Sequence, residues 1–584
     1  MSNTIISWLS LLPVEILHHI FDSLDALTIL FSLRCTCRRL KTIVDGYDRY
    51  VLDFQSISKS DFQLLCHLIS PRKVKSLTLF SKDETSDQIE LFTTYFRIRQ
   101  FNHLRSLTLI DIEESQLKVL LKRFFIPSLT SFSFKLGKYD DRRTNTTATL
   151  LSSIISQAHL HHLNLDIRST RIEKMIWPVQ SMIKYLKISS CDNFSQIFTI
   201  LQCSPHLQTF IINFSNYIDD TIISLDSIRT SFQQLTSLTL ENLRANIDNL
   251  ELLLSLMNSL TYLKLIGFGH FLNGNRWEQF IQTNLPFLNK FELFVQEWRD
   301  VNYTAANVET VIALFQTSFW VEHKKWFCTC ETTELWPRVI KLYSIPLCVS
   351  TLIYEPESNK ISLSTFNFTI NNDKSIMDNV NTIEFKFAKF TLNDIQKQQQ
   401  SSSGPLFRRV TNLELDYYVQ RIPYWTTFVS TLVDLTTVTR IKLAGMRIFQ
   451  ANPNIIADLI SLLQQTCSLT SLDICCNYDS RRSKLTAQDI CSMTPSHVKH
   501  LAAAIENLNE VKICLEKLQH LLTARFFYRS SSFSNLLTEW LEEKRAGSSY
   551  FVGAVFTKVW FVQNNNQFKL VQIGNKRIKL TVDH

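Results

Sequence analysis

The residues with the most evident metal-binding or catalytic potential are three histidines and two cysteines. His159, His161 and His162 are close neighbours in the chain, and Cys328 and Cys330 lie two positions apart. Imidazole and thiolate groups at short spacing can bind Zn²⁺. However, His161 and His162 are consecutive residues of a predicted strand and point to neighbouring faces. Cys328 and Cys330 share one strand face, but no second pair of ligands follows at zinc-site spacing. We therefore expect no metal and no cofactor.

Motifs of the common hydrolases and nucleotide-binding enzymes are missing. The chain contains no GxxxxGK[ST], HExxH or GxSxG segment. Gly267 and Gly269 lack the third glycine of a dinucleotide-binding loop, which indicates a turn after a strand. Glu15, His18 and His19 share a predicted helix without partner carboxylates, and we interpret them as helix surface. The sequence therefore predicts a protein that is not an enzyme.

Composition places the chain among globular proteins. It has 584 residues, of which 45% are hydrophobic and 20% are charged, and this balance excludes a largely disordered chain. The 10 glycines and 13 prolines are too few for a loop-rich β-sandwich or for glycine-lined phosphate sites. The net charge of +8 is small, because nucleic-acid-binding proteins usually concentrate far more basic charge on one face. We therefore expect no nucleic-acid partner.

Cysteine usage and hydropathy bear on the compartment. The 13 cysteines are an odd number without regular spacing, and the apolar run at residues 5–12 lacks the basic flank of a secretory signal. Both features predict reduced thiols in the cytoplasm and/or the nucleus. No segment approaches the roughly 20 apolar residues that cross a membrane, so we expect no membrane contact.

An amphipathic segment begins with Leu12-Pro13 and carries Glu15 in its first turn. Apolar residues then recur at helical spacing at Ile16, Leu17, Ile20, Phe21 and Leu24. A second, almost wholly apolar segment covers residues 27–33, and a third begins basic at residues 37–41 and ends in Ile43-Val44. Three short helices cannot bury this much apolar surface among themselves. The remaining apolar face is therefore expected to contact another surface.

This segment resembles the F-box, whose family pattern is Leu-Pro, an acid two residues on, Ile/Leu, Ile-Phe and Leu, and then a Val-Cys-Arg-Arg-like end. The matching residues are Leu12, Pro13, Glu15, Ile16, Leu17, Ile20, Phe21, Leu24, Leu33, Cys37, Arg38, Arg39 and Leu40. Thr36 stands where the family usually has Val. From the residues alone, an ordinary amphipathic cap on a larger domain is the alternative.

The resemblance implies a small all-α, trihelical domain at residues 1–54 that docks on the Skp-family adaptor of cullin-RING ubiquitin ligases, and through it on a cullin. The residues implied to bind the adaptor are Leu12, Pro13, Glu15, Ile16, Leu17, Ile20, Phe21, Leu24, Leu33, Cys37, Arg38 and Leu40. In that family the rest of the chain selects the protein that is ubiquitinated.

A six-residue pattern, apolar-x-x-apolar-x-apolar, recurs along the chain. Its copies begin at Val74, Leu104, Leu129, Leu160, Ile183, Leu207, Leu235, Leu260, Leu288, Val380, Val410, Val438, Leu469 and Val498. Alternation along a strand places Leu107 and Leu109 inward and Ser106 and Thr108 outward. Amphipathic helices are predicted between strands, as at residues 247–257 and 455–463. Units of this kind bury their apolar sides only by stacking side by side, which makes a parallel sheet along one wall.

The repeats resemble those of leucine-rich-repeat proteins. The family places Asn or Cys at the ninth position of each repeat, and only Cys191 and Asn477 satisfy this rule here. We therefore expect an α/β fold in which the F-box-like element precedes an irregular solenoid with a curved parallel sheet and outer helices. An unrelated α/β fold with leucine-rich strands is the alternative.

Changes in pattern divide the chain into segments. The repeats are expected over residues 55–545, with an irregular segment at 296–379 in which residues 319–330 and 338–345 are two predicted strands. Residues 396–405 are rich in Gln and Ser and are predicted to form an exposed loop. Residues 546–584 are basic and are predicted to form a β-meander that caps the last repeat.

The outward strand positions are the remaining candidates for binding. Those chosen as target-binding residues are Tyr185, Lys187, Tyr262, Lys264, Lys290, Glu292, Glu414, Asp416, Arg440 and Lys442. Mixed charges with some aromatic side chains suit a protein partner better than a phosphate backbone. The sequence thus predicts the substrate-recognition subunit of a cullin-RING (SCF-type) E3 ubiquitin ligase. The alternative is a leucine-rich-repeat interaction scaffold without a ligase role.

Overall fold

The structure is a computed structural model of the full chain. The structure describes residues 11–55, 57, 59–80, 88–121, 126–137, 146–215, 231–298, 305–333, 339–354, 360–366, 374–387, 390, 404–416, 424–444, 453–474, 486–505, 507–527, 537, 539–540, 549–552 and 556–560. The chain forms two compact units, Met1–Glu297 and Trp298–His584.

The first unit begins with three short helices, as the sequence predicts. They are α1 (Val14–Phe21), α2 (a π-helical turn, Thr28–Leu33, continued by Arg34–Thr36) and α3 (Arg38–Gly46). Asp25 caps α2, because its carboxylate accepts hydrogen bonds from the backbone N–H and the hydroxyl of Thr28 at 2.8 and 2.6 Å. The core of this element is formed by Leu17, Phe21, Ala26, Ile29, Leu30, Leu40, Ile43 and Val44, all of which are buried.

Two tyrosines join the helical element to the first strand that follows it. Tyr47 and Tyr50 are buried, and their rings meet edge to face with 4.9 Å between centroids. The Tyr50 hydroxyl donates to the Val44 carbonyl at 3.0 Å, and burial raises the pKa of Tyr50 to about 12. The Tyr47 hydroxyl donates to Asp22 Oδ1 at 2.7 Å. The helical element is therefore packed directly onto the repeat array.

The rest of the first unit alternates strands and helices. Its strands are β1 (Tyr50–Asp53), β2 (Val74–Phe80), β3 (Ser106–Ile112), β4 (Ser131–Leu136), β5 (His162–Asp166), β6 (Tyr185–Cys191), β7 (Thr209–Phe214), β8 (Ser237–Leu243), β9 (Tyr262–Phe268) and β10 (Lys290–Trp298). Its helices are α4 (Lys59–Leu68), α5 (Gln88–Tyr95), α6 (Glu114–Leu121), α7 (Thr146–Ile155), α8 (Ser169–Ile172), α9 (Phe194–Cys203), α10 (Ile247–Ser255) and α11 (Gly274–Asn284). The ten strands pair in chain order, and all of these pairs are parallel.

Local sequence explains this alternation. Apolar residues at the fourth and sixth repeat positions, such as Leu107 and Leu109, are fully buried, whereas the residues between them are partly exposed. Asparagines begin several helices, and in α9 and α11 the side chains of Asn193 and Asn273 accept the hydrogen bond of a first-turn N–H. Cys191 is buried, and its thiol donates to the Asn193 carbonyl at 3.4 Å.

Strand ends in the first unit carry bulges. The register shifts after Leu109 in β3, after Ile188 in β6 and after Leu240 in β8. Asn242 in the β8 bulge adopts a φ of 55°, a left-handed conformation that Asn tolerates better than most residues. Gly267 of the neighbouring strand lies against it, because a Cβ there would be 2.2 Å from the Leu243 carbonyl oxygen. The bulge therefore requires glycine at this position.

The second unit contains the remaining strands. They are β11 (Cys328–Thr333), β12 (Val339–Ser344), β13 (Thr351–Tyr354), β14 (Lys360–Ser364), β15 (Thr382–Lys386), β16 (Asn412–Asp416), β17 (Arg440–Ala444), β18 (Ser471–Ile474), β19 (His500–Ala504), β20 (Thr523–Phe527), β21 (Ser549–Val552) and β22 (Phe556–Trp560). Its helices are α12 (Ala305–Ala313), α13 (Trp425–Leu432), α14 (Pro453–Gln465), α15 (Ala487–Met493) and α16 (Leu508–Lys517).

Two kinds of pairing occur in the second unit. Strands β13 and β15–β20 form a parallel sheet in chain order. Strand β11 pairs antiparallel with both β12 and β14. Strand β22 pairs antiparallel with β20 and β21. Each of the fourteen predicted pattern copies contains a strand, so the predicted helical element followed by leucine-rich-like α/β repeats is confirmed.

Two details of the irregular segments differ from the predictions. Residues Phe319–His323 form a π-helical turn instead of the start of a strand, because Phe319 and Trp320 pack edge to face and both are buried there. The predicted terminal segment 551–562 is divided between β21 and β22. The later meander strands, residues 396–403 of the predicted loop, and Asn477 lie outside the described residues.

Candidate binding surfaces

The outward face of the first unit brings several predicted target-binding residues together. This face is formed by the third, fifth and seventh repeat positions of β2–β10, and the predicted residues on it are Tyr185, Lys187, Tyr262, Lys264, Lys290 and Glu292. The Tyr262 hydroxyl donates to Glu292 Oε2 at 2.6 Å, and Lys290 Nζ lies 2.7 Å from Glu292 Oε1. Lys290 Nζ also lies 5.3 Å from the centroid of the Tyr262 ring. These three side chains therefore form one connected cluster.

A second cluster on the same face consists of two stacked rings, of which only Tyr185 was predicted. The His162 ring stacks on Tyr185 with 3.9 Å between centroids and 6° between planes. Burial lowers the pKa of His162, so the neutral ring is favoured. His162 was predicted to lie on a strand but was not among the predicted target-binding residues. The repeat pattern could have indicated this contact, because His162 and Tyr185 occupy the same repeat position. The structure places them directly in register.

The outward face of the second unit carries the other four predicted residues: Glu414, Asp416, Arg440 and Lys442. Lys442 Nζ lies 2.9 Å from Glu414 Oε2, across the β16–β17 pair. Arg440 Nη2 lies 3.7 Å from Asp473 Oδ2 on β18, and Asp473 was not among the predicted residues. Burial, followed by the negative charge of Glu384, raises the pKa of the Asp416 carboxyl. Glu414, Arg440 and Lys442 are thus matched by opposite charges on adjacent strands, whereas Asp416 lies near a like charge.

A third candidate surface lies at the start of α1 and in the residues just before it, where apolar side chains face solvent. Leu11, Val14 and Ile16 are exposed by 67%, 41% and 46%. Pro13 and Glu15 are also exposed, whereas Leu12, Ile20, Leu24 and Leu33 are partly buried. Exposed apolar residues that cluster on one element, instead of being scattered singly, mark interaction surfaces.

Residues 9–52 match the family model of the F-box domain. The N-terminal element is an F-box domain. Among solved structures, a chain of the crystal structure of the mouse RP105/MD-1 complex is similar at 13% identity and a TM-score of 0.25, over 86% of this chain and 80% of that chain. The search of curated proteins gave no match.

The F-box domain uses three of the predicted adaptor-binding residues for its own core. Leu17, Phe21 and Leu40 are exposed by at most 1%. Their side chains are therefore not available to a partner in this structure, and they hold the three helices together. The periodicity of α1 could not separate these roles, because the spacing that marks an apolar face does not say what covers it. Val14 was not among the predicted residues, although it lies within the same amphipathic segment.

The third helix of the F-box domain is fixed by its own polar residues. The Cys37 thiol accepts a hydrogen bond from the Leu40 N–H at 3.5 Å, and Arg39 donates to the Leu12 carbonyl at 3.0 Å. Arg38 is exposed. Thr36, the departure from the family pattern, is exposed and donates its hydroxyl hydrogen to the Ser32 carbonyl at 2.8 Å. Threonine is therefore accommodated without an unsatisfied polar group.

Of the residues first considered for metal chemistry, His162 lies on the outward face of the first unit, and the two cysteines are buried. Cys328 and Cys330 are buried free thiols, and burial raises the pKa of each to about 12. Within the described residues, no three His, Cys, Asp or Glu side chains are grouped in a way that could hold a metal ion. No helix of this part of the chain is long and apolar enough to cross a membrane.

Proposed function

We propose that this protein is the substrate-recognition subunit of a cullin-RING (SCF-type) E3 ubiquitin ligase. Its F-box domain would bind a Skp-family adaptor and through it a cullin, and its repeats would bind the target protein. The protein itself would be non-catalytic and would act in the cytoplasm and/or the nucleus. The observation that carries the proposal is the set of exposed apolar residues at the start of α1, within a sequence that matches the F-box.

The energetics of burying these apolar residues support binding to an adaptor. Burial of a large aliphatic side chain contributes about 1.5–3 kcal/mol. Leu11, Val14 and Ile16, with Pro13 beside them, could therefore contribute several kcal/mol before the cost of association is subtracted. Leu17, Phe21 and Leu40 would support the interface indirectly, since they hold α1 in position.

The outward faces of the two units support target binding. Their side chains combine aromatic rings with both signs of charge, a composition that suits a protein surface. We propose that Tyr185, Lys187, Tyr262, Lys264, Lys290 and Glu292 of the first unit are the principal candidates, because two rigid aromatic clusters lie among them. Glu414, Asp416, Arg440 and Lys442 of the second unit are further candidates.

An affinity-purification experiment tests the proposal. The full chain and a Val14→Asp/Ile16→Asp variant are expressed in eukaryotic cells, and co-purified proteins are quantified by mass spectrometry. Val119→Asp is the matched control, since Val119 is an exposed apolar residue of α6 in the same unit. We expect the wild type and the control to retain adaptor and cullin and the double variant to lose both. Adaptor binding by the double variant at wild-type levels would contradict the proposal.

An interaction scaffold without a ligase role is the second candidate function. It is favoured by the packing of the F-box domain onto the repeats, since Tyr47 and Tyr50 are buried at that junction and Lys73 donates a hydrogen bond to the Asp45 carbonyl. A domain that only caps the array needs no adaptor. In the same experiment the scaffold function predicts that neither adaptor nor cullin co-purifies with the wild type.

A further inference from the structure

One short sequence, Tyr-Leu-Lys, occurs at equivalent places on two strands of the first unit. Tyr185 and Lys187 lie on β6, and Tyr262 and Lys264 lie on β9. Thr209 and Ser237 connect the two tyrosines in one continuous row, because each is directly in register with its neighbour. The two Tyr-Lys pairs are three strand spacings apart, a separation of about 14 Å.

Both tyrosines are held in place before any partner binds. Tyr185 is stacked on His162, and Tyr262 is fixed by its hydrogen bond to Glu292 and by Lys290 over its ring. Aromatic side chains that are already ordered lose little conformational entropy on binding, and tyrosines are enriched at the energetic centres of interfaces. These rings are therefore suitable anchors for a partner.

Lys187 and Lys264 differ from the other two lysines on this face. Lys290 is paired with Glu292, and Lys135 lies 3.7 Å from Asp166. No ion pair forms between Lys187 or Lys264 and another described residue, and both side chains are partly exposed. Their charges are therefore available to a partner of opposite sign.

The surface between the lysines is nearly neutral. Thr209, Ile211, Ser237 and Thr239 occupy it. Two acids lie near this row. Glu292, on β10, is in register with Lys264 but is already bound to Lys290 and Tyr262. Glu241, on β8, is the second, and its charge contributes to the raised pKa of Tyr185, after burial. It offsets part of the positive charge of the two lysines and would repel an acidic partner.

We propose that this surface, formed by β6–β9, binds an extended acidic peptide segment of the target, with one carboxylate near Lys187 and another near Lys264. An extended chain rises about 3.4 Å per residue, so side chains four residues apart are separated by about 14 Å. Such side chains also point to the same side of the segment. The segment therefore carries Asp or Glu at positions i and i+4. This inference rests on the proposed role of the repeats in binding a target.

Fluorescence anisotropy with the full-length protein tests the inference. The probes are three labelled peptides that otherwise consist of Ser, Thr and Val. The first has glutamates at positions i and i+4, and the second has glutamates at positions i and i+3. The third has glutamines at positions i and i+4. We expect the i, i+4 glutamate peptide to bind most tightly, with an affinity that falls as salt is added. Equal affinity for the glutamine peptide, or no binding of the glutamate peptide, overturns the proposal.

Three variants locate the site. Lys187→Glu/Lys264→Glu should weaken binding of the i, i+4 peptide by about tenfold or more, given that each exposed charge pair contributes modestly. Lys135→Glu changes the same charge on the same face outside the row and should leave the affinity unchanged. Glu241→Gln should tighten binding by about twofold, because it removes a repulsive charge. An unchanged affinity in the double lysine variant overturns the proposal.

Two further measurements separate this inference from others. A single-stranded oligonucleotide that binds as tightly as the peptide would replace the proposal with a nucleic-acid surface. Adaptor binding is measured on the same preparations. Loss of the peptide effect with intact adaptor binding contradicts only the peptide proposal. A wild-type chain that binds the peptide but no adaptor contradicts only the ligase role.

Discussion

The outward faces of the two units are built from the same repeat pattern but differ in chemistry. In the second unit, Glu414 pairs with Lys442 and Asp473 pairs with Arg440 on adjacent strands. In the first unit, Lys187 and Lys264 form no ion pair with another described residue and lie beside two fixed tyrosines. The apolar positions of the repeat therefore determine the fold, while the variable positions determine whether a face is neutralised internally or left for a partner.

The two units also differ in the regularity of their strands. Four of the parallel strand pairs in the first unit contain a register shift, one at the start of β1 and three near the end of a strand. The described parallel pairs of the second unit continue without one. The first unit therefore depends on special residues at its bulges, such as Gly267, and the second does not show this dependence among its described strands.

The largest expected effect tests this dependence on glycine. Gly267→Ala places a Cβ against the backbone of Leu243, which cannot move as a flexible side chain could. We expect a loss of roughly 2–4 kcal/mol in the free energy of unfolding. Gly46→Ala is the control, because a Cβ at Gly46 has nothing within 4 Å. Denaturant unfolding followed by circular dichroism measures both, and equal stabilities would refute the role of the bulge.

A smaller loss of stability is expected when a salt bridge between two helices of the first unit is removed. Arg276 of α11 donates two hydrogen bonds of 2.7 Å to Glu251 of α10 and also contacts Asp248. We expect Arg276→Ala to cost about 1–2 kcal/mol, since charge-assisted bidentate bonds exceed ordinary ones. Arg276→Lys should be intermediate, because lysine keeps the charge but lacks the planar fork. Thermal unfolding of the three proteins checks the order, and a lysine variant as unstable as the alanine variant would contradict it.

The smallest effect concerns the second face and its pH dependence. The folded-state pKa of Asp416 is raised, mainly by burial and then by Glu384. The stability contributed by the Asp416 carboxyl is therefore fully present below the pKa that this group has in the unfolded chain. It is lost as the pH rises through the pKa that the group has in the folded protein. Asp416→Asn should raise the stability at neutral pH by less than about 1 kcal/mol, since the group is partly exposed and screened. Unfolding from pH 3 to 7 tests this, and a variant less stable than the wild type at neutral pH would contradict it.

Much of the repeat array could be predicted because alternation of apolar residues directly specifies a strand with one buried face. Three strands were missed where other residues replace leucine at the same spacing. In β1 the positions are Tyr47, Tyr50 and Leu52; in β13 they are Val349, Leu352 and Tyr354; in β20 they are Leu521, Ala524 and Phe526. A pattern that admits tyrosine and alanine would have included them.

The binding surfaces were less predictable, because they depend on register and packing. Tyr262 and Glu292 are 30 residues apart in the chain, and only the β9–β10 register brings them into contact. Likewise, Ile16 and Leu17 are neighbours in sequence with similar side chains. One is exposed and the other is buried, because only Leu17 faces the other helices of the F-box domain.

The contrast between exposed and buried residues of α1 provides the most direct test of the central claim, that the F-box domain binds an adaptor. Isothermal titration of a purified Skp-family adaptor into the wild-type chain and into Ile16→Asp measures affinity, and thermal unfolding measures stability. We expect Ile16→Asp to weaken adaptor binding by at least about tenfold with an unchanged unfolding temperature. Unchanged adaptor affinity in this variant, or no adaptor binding by the wild type, would contradict the account.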